Sequence, residues 1–309
     1  MTEKLNIMKN ILQNVSLAVL LVILGSCNPD KKAKEQLKER VDQELELDQE
    51  VMNDLQKAKQ VFYSLPSPIE MAMLLKRAGT QYDPQLINPT ENADKYTTTI
   101  QKSLNFGVYG ADLSYANLFM QTQTSIQLMA VSKKLADGMG IYGYIDDNIV
   151  ERLENNVNNR DSSMAIITEV FMSSNSYLSE SGRPETGVLI LAGGWIEALY
   201  IATQLTRTSP NNNELIDRII DQKLSLVTLH ALLTKYGYHP DVKKTLGMIN
   251  EIKTFYDQIQ IVTTKAEPIT DNESKLTTLQ SKSEIFISQE VFDNLCLKVD
   301  SIRKSITEI

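Results

Sequence analysis

Apolar residues recur at intervals of three and four positions along most of the chain. One such series is Ile216, Ile219, Ile220 and Val227, and another runs through Phe292, Leu295, Val299, Ile302 and Ile306. This spacing puts the apolar residues on one face of an α-helix, where they can pack on a core. Strict alternation of apolar and polar residues, which is typical of β-strands, is rare. The sequence therefore predicts an all-α fold without a sheet.

The helical pattern divides into segments separated by polar or glycine-containing stretches. The predicted helices cover 94–109, 111–136, 146–158, 161–180, 186–207, 211–236, 240–264 and 282–307. A polar loop is predicted at 79–94 and a linker at 263–275. Together with a short helix before residue 79 and a long N-terminal helix, these segments predict a bundle of about nine to ten helices, because short connections favour antiparallel neighbours. A TPR-like array of helical hairpins is the alternative.

The first 26 residues have the pattern of an export signal. Lys4 and Lys9 precede an apolar run at about 15–24, which is shorter than the roughly 20 apolar residues that span a bilayer. The run ends in Leu24-Gly25-Ser26-Cys27, which resembles the lipobox of bacterial lipoproteins. That resemblance implies cleavage before Cys27 and attachment of a diacylglycerol to its sulfur. The alternative is an ordinary signal in which Cys27 is incidental.

The remaining chain is predicted to have two parts. Residues 27–66 form a membrane tether and a charged stalk helix, and 67–309 form a single α-helical domain. The stalk has heptad spacing that Glu44 and Asp48 interrupt, so we expect only its second half to pack onto the domain.

Composition excludes several classes of protein. The formal net charge of −8 and the pI of about 5.0 leave no basic surface for nucleic acid. With two histidines and no Gly-x-Ser-x-Gly, His-Glu-x-x-His or Glu-x-x-His motif, the sequence predicts no metal site, no cofactor and no catalytic residue. Cys296 has no disulfide partner if Cys27 is acylated, and is predicted to be a buried apolar residue.

Two segments depart from the amphipathic pattern. Residues 186–204 are almost uniformly apolar, with Glu197 as their only charge, and predict a central helix surrounded by others. Their Gly193-Gly194 pair predicts the close approach of another helix or of a ligand. Residues 105–127 likewise contain a single charge, Asp112, shortly after Gly107 and Gly110.

Asp112 and Glu197 lie in similar sequence contexts. Asp112-x-x-Tyr115 and Glu197-x-x-Tyr200 are 85 residues apart, which is compatible with an internal duplication, and the spacing puts each acid and tyrosine on one helical face. In one interpretation, tyrosine hydroxyls or helix-end amides satisfy the acids and fix the helices in register. In the other, the carboxylates face a ligand or transfer protons. The residues of this possible pocket are Asp112, Tyr115, Gln121, Gln123, Trp195, Glu197 and Tyr200.

The lipobox and the segment LNFGVYGADLSYANLF are similar to uncharacterised all-helical lipoproteins of Bacteroidota. No activity follows from that resemblance. Asn28 stands where inner-membrane lipoproteins of enterobacteria have an aspartate, which favours the outer membrane. The stretch NPDKKAK has a single acid, Asp30, whereas a surface-export signal would be acidic, so we favour the periplasmic face.

The expected function is that of a lipid-anchored, non-enzymatic binding or scaffolding module with a protein partner in the envelope. The alternative is a carrier of a small or apolar ligand in a cavity between helices 105–127 and 186–204. A third hypothesis, an enzyme using Asp112 and Glu197, requires the two carboxylates to lie within one substrate's width in an open cleft.

Overall fold

The computed structural model describes residues 49, 52–54, 56–58, 79–141, 147–156, 158–209, 213–263, 267–271, 276–280 and 283–308. These residues belong to one compact unit, Val51–Ile309, apart from residue 49. The predicted signal, Cys27 and most of the predicted stalk lie outside the described residues.

The described residues form an all-α, multi-helix bundle, which confirms the predicted fold class. Its α-helices are α1 (Thr99–Leu118), α2 (Thr122–Gly138), α3 (Asp147–Asn156), α4 (Arg160–Glu180), α5 (Pro184–Thr208), α6 (Asn213–Lys235), α7 (Pro240–Tyr256) and α8 (Gln289–Thr307). A 3₁₀ helix covers Thr90–Lys95, and residues 52–54 and 56–58 are also helical.

Local sequence explains where several helices begin. The Thr98 side chain accepts a hydrogen bond from the amide of Gln101, whose own side chain bonds back to the Thr98 amide, so α1 starts with a capping box. The Ser288 hydroxyl caps α8 by accepting a hydrogen bond from the backbone amide of Val291. Pro184 and Pro240 occupy the first turns of α5 and α7, where the missing amide hydrogen costs no bond.

Several helix boundaries differ from those predicted: the first helix starts at residue 99 and not 94, the predicted helix 111–136 is broken between residues 118 and 122, and the last helix starts at residue 289 and not 282. α1 runs without interruption through Gly107 and Gly110, although a break was expected at residue 110. Both glycines are buried at close contacts between helices, and this packing outweighs their low helix propensity. α7 ends at Tyr256, eight residues earlier than predicted.

Two antiparallel pairs of strands, together called the ribbon here, are found in place of the predicted linker at 263–275 and the first turn of the predicted last helix. Strand β1 (Gln260–Thr263) pairs antiparallel with β4 (Ser283–Phe286), and β2 (Glu267–Asp271) pairs antiparallel with β3 (Leu276–Gln280). The stretch is rich in threonine and isoleucine, whose β-branched side chains favour extended backbone. The ribbon lies between α7 and α8 in the sequence.

Helix α5 lies at the centre of the bundle, as its uniformly apolar sequence predicted. It packs against α1, α4, α6, α7 and α8. Its most extensive contact is with α1, from which three helices separate it in the sequence, whereas an array of helical hairpins would bring together mainly neighbours in sequence. The arrangement is therefore a bundle and not a TPR-like array.

The length and apolarity of α5 would suffice for a membrane span. Its most apolar 18-residue window has a mean hydropathy of 1.5, but 72% of that window is buried inside the protein. The other helices pack around it, which accounts for its composition without a bilayer.

Candidate functional site

Helices α1 and α5 touch through their backbones. A Cβ atom added to Gly107 would lie 2.0 Å from the carbonyl oxygen of Ile190, and one added to Gly193 would lie 2.0 Å from that of Leu104. Only glycine fits at such distances. The Gly193-Gly194 pair therefore admits another helix, one of the two roles predicted for it, and leaves no space for a ligand at this level of the interface.

Asp112 and Glu197 meet about one helical turn beyond this crossing. The sequence left their separation open, and the structure brings the two carboxyl groups, here called the acid pair, into hydrogen-bond contact. Both side chains are fully buried, with 0% exposure. Asp112 Oδ2 accepts a hydrogen bond of 3.0 Å from the backbone amide of Asn88. Asp112 Oδ1 is buried without a hydrogen-bond donor in reach among the described residues.

Arg303 of α8 supplies the positive charge at the acid pair. Its Nε donates to Glu197 Oε2 at 3.0 Å, and its Nη2 donates to Glu197 Oε1 at 3.0 Å and to the carbonyl oxygen of Leu86 at 3.3 Å. The guanidinium also lies 4.7 Å from the centre of the Tyr200 ring. This two-point geometry is the strongest form of an arginine–carboxylate pair.

Burial and the neighbouring charges favour the protonated form of Asp112. Burial raises the pKa of Asp112 well above its usual value, and the adjacent Glu197 carboxylate raises it further. Burial also raises the pKa of Glu197, but the charge and hydrogen bonds of Arg303 oppose that rise. A proton on Asp112 would let its hydroxyl donate to Glu197, and it would leave the buried group of two acids and one arginine electrically neutral.

A buried network of asparagines and a tyrosine extends from the acid pair. The Asn88 side chain donates to the hydroxyl of Tyr96 at 2.9 Å, and that hydroxyl donates to the carbonyl oxygen of Thr307 at 3.0 Å. Asn105 donates to the carbonyl oxygen of Ile306 at 3.0 Å. The last turn of α8, whose carbonyls lack partners within the helix, is thereby capped by side chains of α1 and of the preceding loop.

The acids are not satisfied by the tyrosines predicted as partners. The Tyr115 hydroxyl accepts a hydrogen bond from the backbone amide of Asp83, and the Tyr115 ring packs against Tyr82 and Phe119. Tyr200 contacts Arg303 through its ring instead of bonding to Glu197 through its hydroxyl. The hydrogen bonds to the acids come from the Asn88 backbone amide and from Arg303, where the sequence had suggested tyrosine hydroxyls.

The other predicted pocket residues lie elsewhere. Trp195 Nε1 donates to the hydroxyl of Ser225 at 2.9 Å, in the interface of α5 with α6. Gln121 precedes α2 and bonds to the carbonyl oxygen of Phe119, and Gln123 is exposed. The seven residues therefore do not line one cavity.

The sequence contained a signal for Arg303 that was missed. Arg303 lies four residues after Val299 and three before Ile306, on the apolar face of α8, where a charged residue needs a buried partner. The roles of Asn88 and Asn105 had no comparable signal.

The closed geometry limits the chemistry of the site. Both carboxyl groups are enclosed, so a substrate has no path to them in this conformation. Within the described residues, no group of three or more histidine, cysteine, aspartate or glutamate side chains is placed to hold a metal ion. No protein-family model, no curated protein and no solved structure matches the chain.

Proposed function

We propose that the chain is a lipid-anchored protein of the bacterial outer membrane, on its periplasmic face, and acts as a non-enzymatic binding or scaffolding module. The observation that carries the proposal is the sequence Leu24-Gly25-Ser26-Cys27 directly after a basic and apolar signal. A diacylglycerol on Cys27 would hold the helical body at the membrane, where it would bind a protein partner of the envelope.

The enclosed core favours the scaffold hypothesis over the enzyme hypothesis and the carrier hypothesis. An enzyme using Asp112 and Glu197 needs an open cleft, and both residues are fully enclosed. A carrier needs space between α1 and α5, and the two helices touch at Gly107 and Gly193. The buried ion pair with Arg303 favours a role in fixing helices, because a polar group enclosed with its partners specifies one arrangement of the core.

The anchor is tested by labelling cells of a bacterial host with radioactive palmitate. We expect label on the parent protein and its recovery in the membrane fraction, and neither for Cys27→Ser. Cys296→Ser is the matched control and should behave like the parent. A Cys27→Ser protein that is processed and held in the membrane like the parent would contradict the anchor.

The scaffold is tested by crosslinking in intact cells. We expect one envelope protein to be captured reproducibly by the parent and to be lost with Cys27→Ser, which would not be held at the membrane. Native mass spectrometry of the purified parent distinguishes the carrier, because a bound small molecule in a fixed ratio to the chain would favour that alternative.

A further inference from the structure

Two routes of polar contacts connect Asp112 with the last two turns of α8. The first route runs through the segment before α1. The Asn88 amide donates to Asp112 Oδ2, and the Asn88 side chain donates to the Tyr96 hydroxyl. That hydroxyl donates to the carbonyl oxygen of Thr307 at 3.0 Å. One series of hydrogen bonds therefore joins Asp112, the segment 79–98 and the end of α8.

The second route runs through α5. Glu197, the neighbour of Asp112 in the acid pair, is bonded at two points by Arg303 of α8. The same guanidinium donates to the carbonyl oxygen of Leu86 at 3.3 Å, so it also joins α8 to the segment 79–98. A change of charge at the acid pair would therefore reach the end of α8 by both routes.

The geometry of the acid pair favours one bound proton. Both carboxyl groups are fully buried, and the two-point bonding of Arg303 goes to Glu197. Asp112 Oδ1 has no donor in reach among the described residues, and a buried acceptor without a donor is costly. A proton on this oxygen would make it a donor to Glu197 and would leave one anion for one cation. Burial and the Glu197 charge, which raise the pKa of Asp112, act in the same direction.

We propose that Asp112, Glu197 and Arg303 form a pH-dependent latch that holds the last two turns of α8 on the bundle. While the acid pair holds its proton, the three groups are neutral together and the latch is closed. When the proton leaves, two buried carboxylates share one guanidinium, and separation of residues 297–307 from 79–98 relieves the excess charge. Separation exposes Ile302 and Ile306, which are buried in the closed form. Rising pH therefore opens the latch.

The size of the pH effect follows from proton linkage. In the open form Asp112 is in water, where its pKa is about 3.9, and in the closed form its pKa is raised. Between these two values, opening releases one proton, so the equilibrium constant for opening rises about tenfold per pH unit. Above the pKa of the closed form, the constant levels off.

The other ionisable groups around Asp112 keep their charge between about pH 5 and pH 8. Burial raises the pKa of all three nearby phenols above the ordinary value of 10.0. Burial lowers the pKa of Arg303, but the charge and hydrogen bonds of Glu197 outweigh this and raise it overall. Glu197 shares the proton of the acid pair and is part of the latch. The groups that face the acid pair are Tyr109 from α1, Tyr82 and Tyr96 from the segment 79–98, Glu197 from α5 and Arg303 from α8.

Hydrogen–deuterium exchange of the full-length protein in detergent tests the latch. Exchange is measured by mass spectrometry from about pH 5 to pH 8 and corrected for the intrinsic pH dependence of amide exchange. We expect the protection of residues 297–307 and 86–96 to fall about tenfold per pH unit until it levels off. It should also be at least about tenfold lower than that of residues 226–233 in α6, and less sensitive to low concentrations of urea, because local opening exposes less surface than unfolding.

Two variants provide the controls. Asp112→Asn does not titrate, so the protection of residues 297–307 should lose its pH dependence. Glu251→Gln removes an exposed acid that pairs with Lys298 of α8, and should keep the pH dependence of the parent.

Three results would overturn the proposal. The first is a protection of residues 297–307 in the parent that does not change over this pH range. The second is a protection and urea dependence equal to those of residues 226–233, because the end of α8 would then open only when the whole protein unfolds. The third is a pH dependence that Asp112→Asn retains. The parent alone gives the first two results, so the test does not depend on the folding of the variant.

The latch goes beyond the envelope function and is separable from it. Its opening requires neither the lipid nor an envelope partner. The exchange of residues 297–307 should therefore have the same pH dependence in the parent and in Cys27→Ser, whatever the outcome of the anchoring experiment.

Discussion

Arg303 and Glu197, which are 106 residues apart in sequence, form a buried two-point ion pair with Nε···Oε2 and Nη2···Oε1 distances of 3.0 Å. The pair links the last helix of the bundle to its central helix. The Asp112 carboxyl group of α1 neighbours the same carboxylate, so three helices meet at Glu197.

Removing one partner of this ion pair should destabilise the fold strongly. Glu197→Gln leaves the Arg303 charge buried without its counter-charge, which we expect to lower the free energy of unfolding by about 3 kcal/mol or more in urea denaturation. The matched control is Lys298→Ala, which breaks the exposed pair of Lys298 with Glu251 between α7 and α8 and should cost at most about 1 kcal/mol. Equal losses in the two variants would contradict a structural role for the buried pair.

Stability should depend on pH through Asp112. The pKa of Asp112 is raised in the folded protein above its unfolded value of about 3.9, so its contribution to stability is complete below that pH and is lost as pH rises through the folded pKa. Asp112→Asn keeps a donor for Glu197 and an acceptor for the Asn88 amide without titrating. We expect the variant to gain stability relative to the parent as pH rises from about 4 towards the folded pKa of Asp112.

The measurement is the difference in free energy of unfolding between Asp112→Asn and the parent at a series of pH values. Taking the difference at each pH removes the contribution of the other titrating groups, which both proteins share. A difference that stays constant from acidic to alkaline pH would show that Asp112 does not hold a proton in the fold.

Where α1 crosses α5, the stability lost on replacing a glycine by alanine should depend on the space available for the added methyl group. Gly193→Ala and Gly107→Ala place a Cβ 2.0 Å from a backbone oxygen, so we expect losses of at least about 2 kcal/mol in thermal or urea unfolding. At Gly194 the nearest atom is 3.2 Å away, and the loss should be smaller. Gly247→Ala, in α7 with no atom within 4 Å, is the control and should stabilise by about 0.5–1 kcal/mol.

Asp54 should hold the N-terminal helical residues on the bundle. Its Oδ2 accepts hydrogen bonds from Lys235 Nζ at 2.6 Å and from the Tyr236 hydroxyl. Burial, followed by the bond to Asp54, raises the pKa of Tyr236 to about 12. Asp54→Ala should lower that pKa in a spectrophotometric titration and lower the free energy of unfolding in urea denaturation. The exposed neighbour Asn53 provides the control, because Asn53→Ala should change neither quantity.

The fold was more predictable than the candidate site. The residues Asp112 and Glu197 stood out because single charges in apolar helices must find partners when buried. Their actual partners could not be deduced, because the Asn88 amide belongs to a loop and Arg303 lies on a helix more than 100 residues away. The tyrosines were chosen for their spacing along one helix, but the contacts that satisfy the acids run between elements.

The sequence by itself determined what depends on neighbouring residues. Apolar spacing gave most of the helices and the central place of α5. Tertiary structure decided that α1 continues through Gly107 and Gly110, that Asp112, Glu197 and Arg303 meet, and that 260–286 contains strands. These outcomes depend on which distant segments become neighbours, and local propensity cannot specify that because packing between helices and pairing between strands outweigh it.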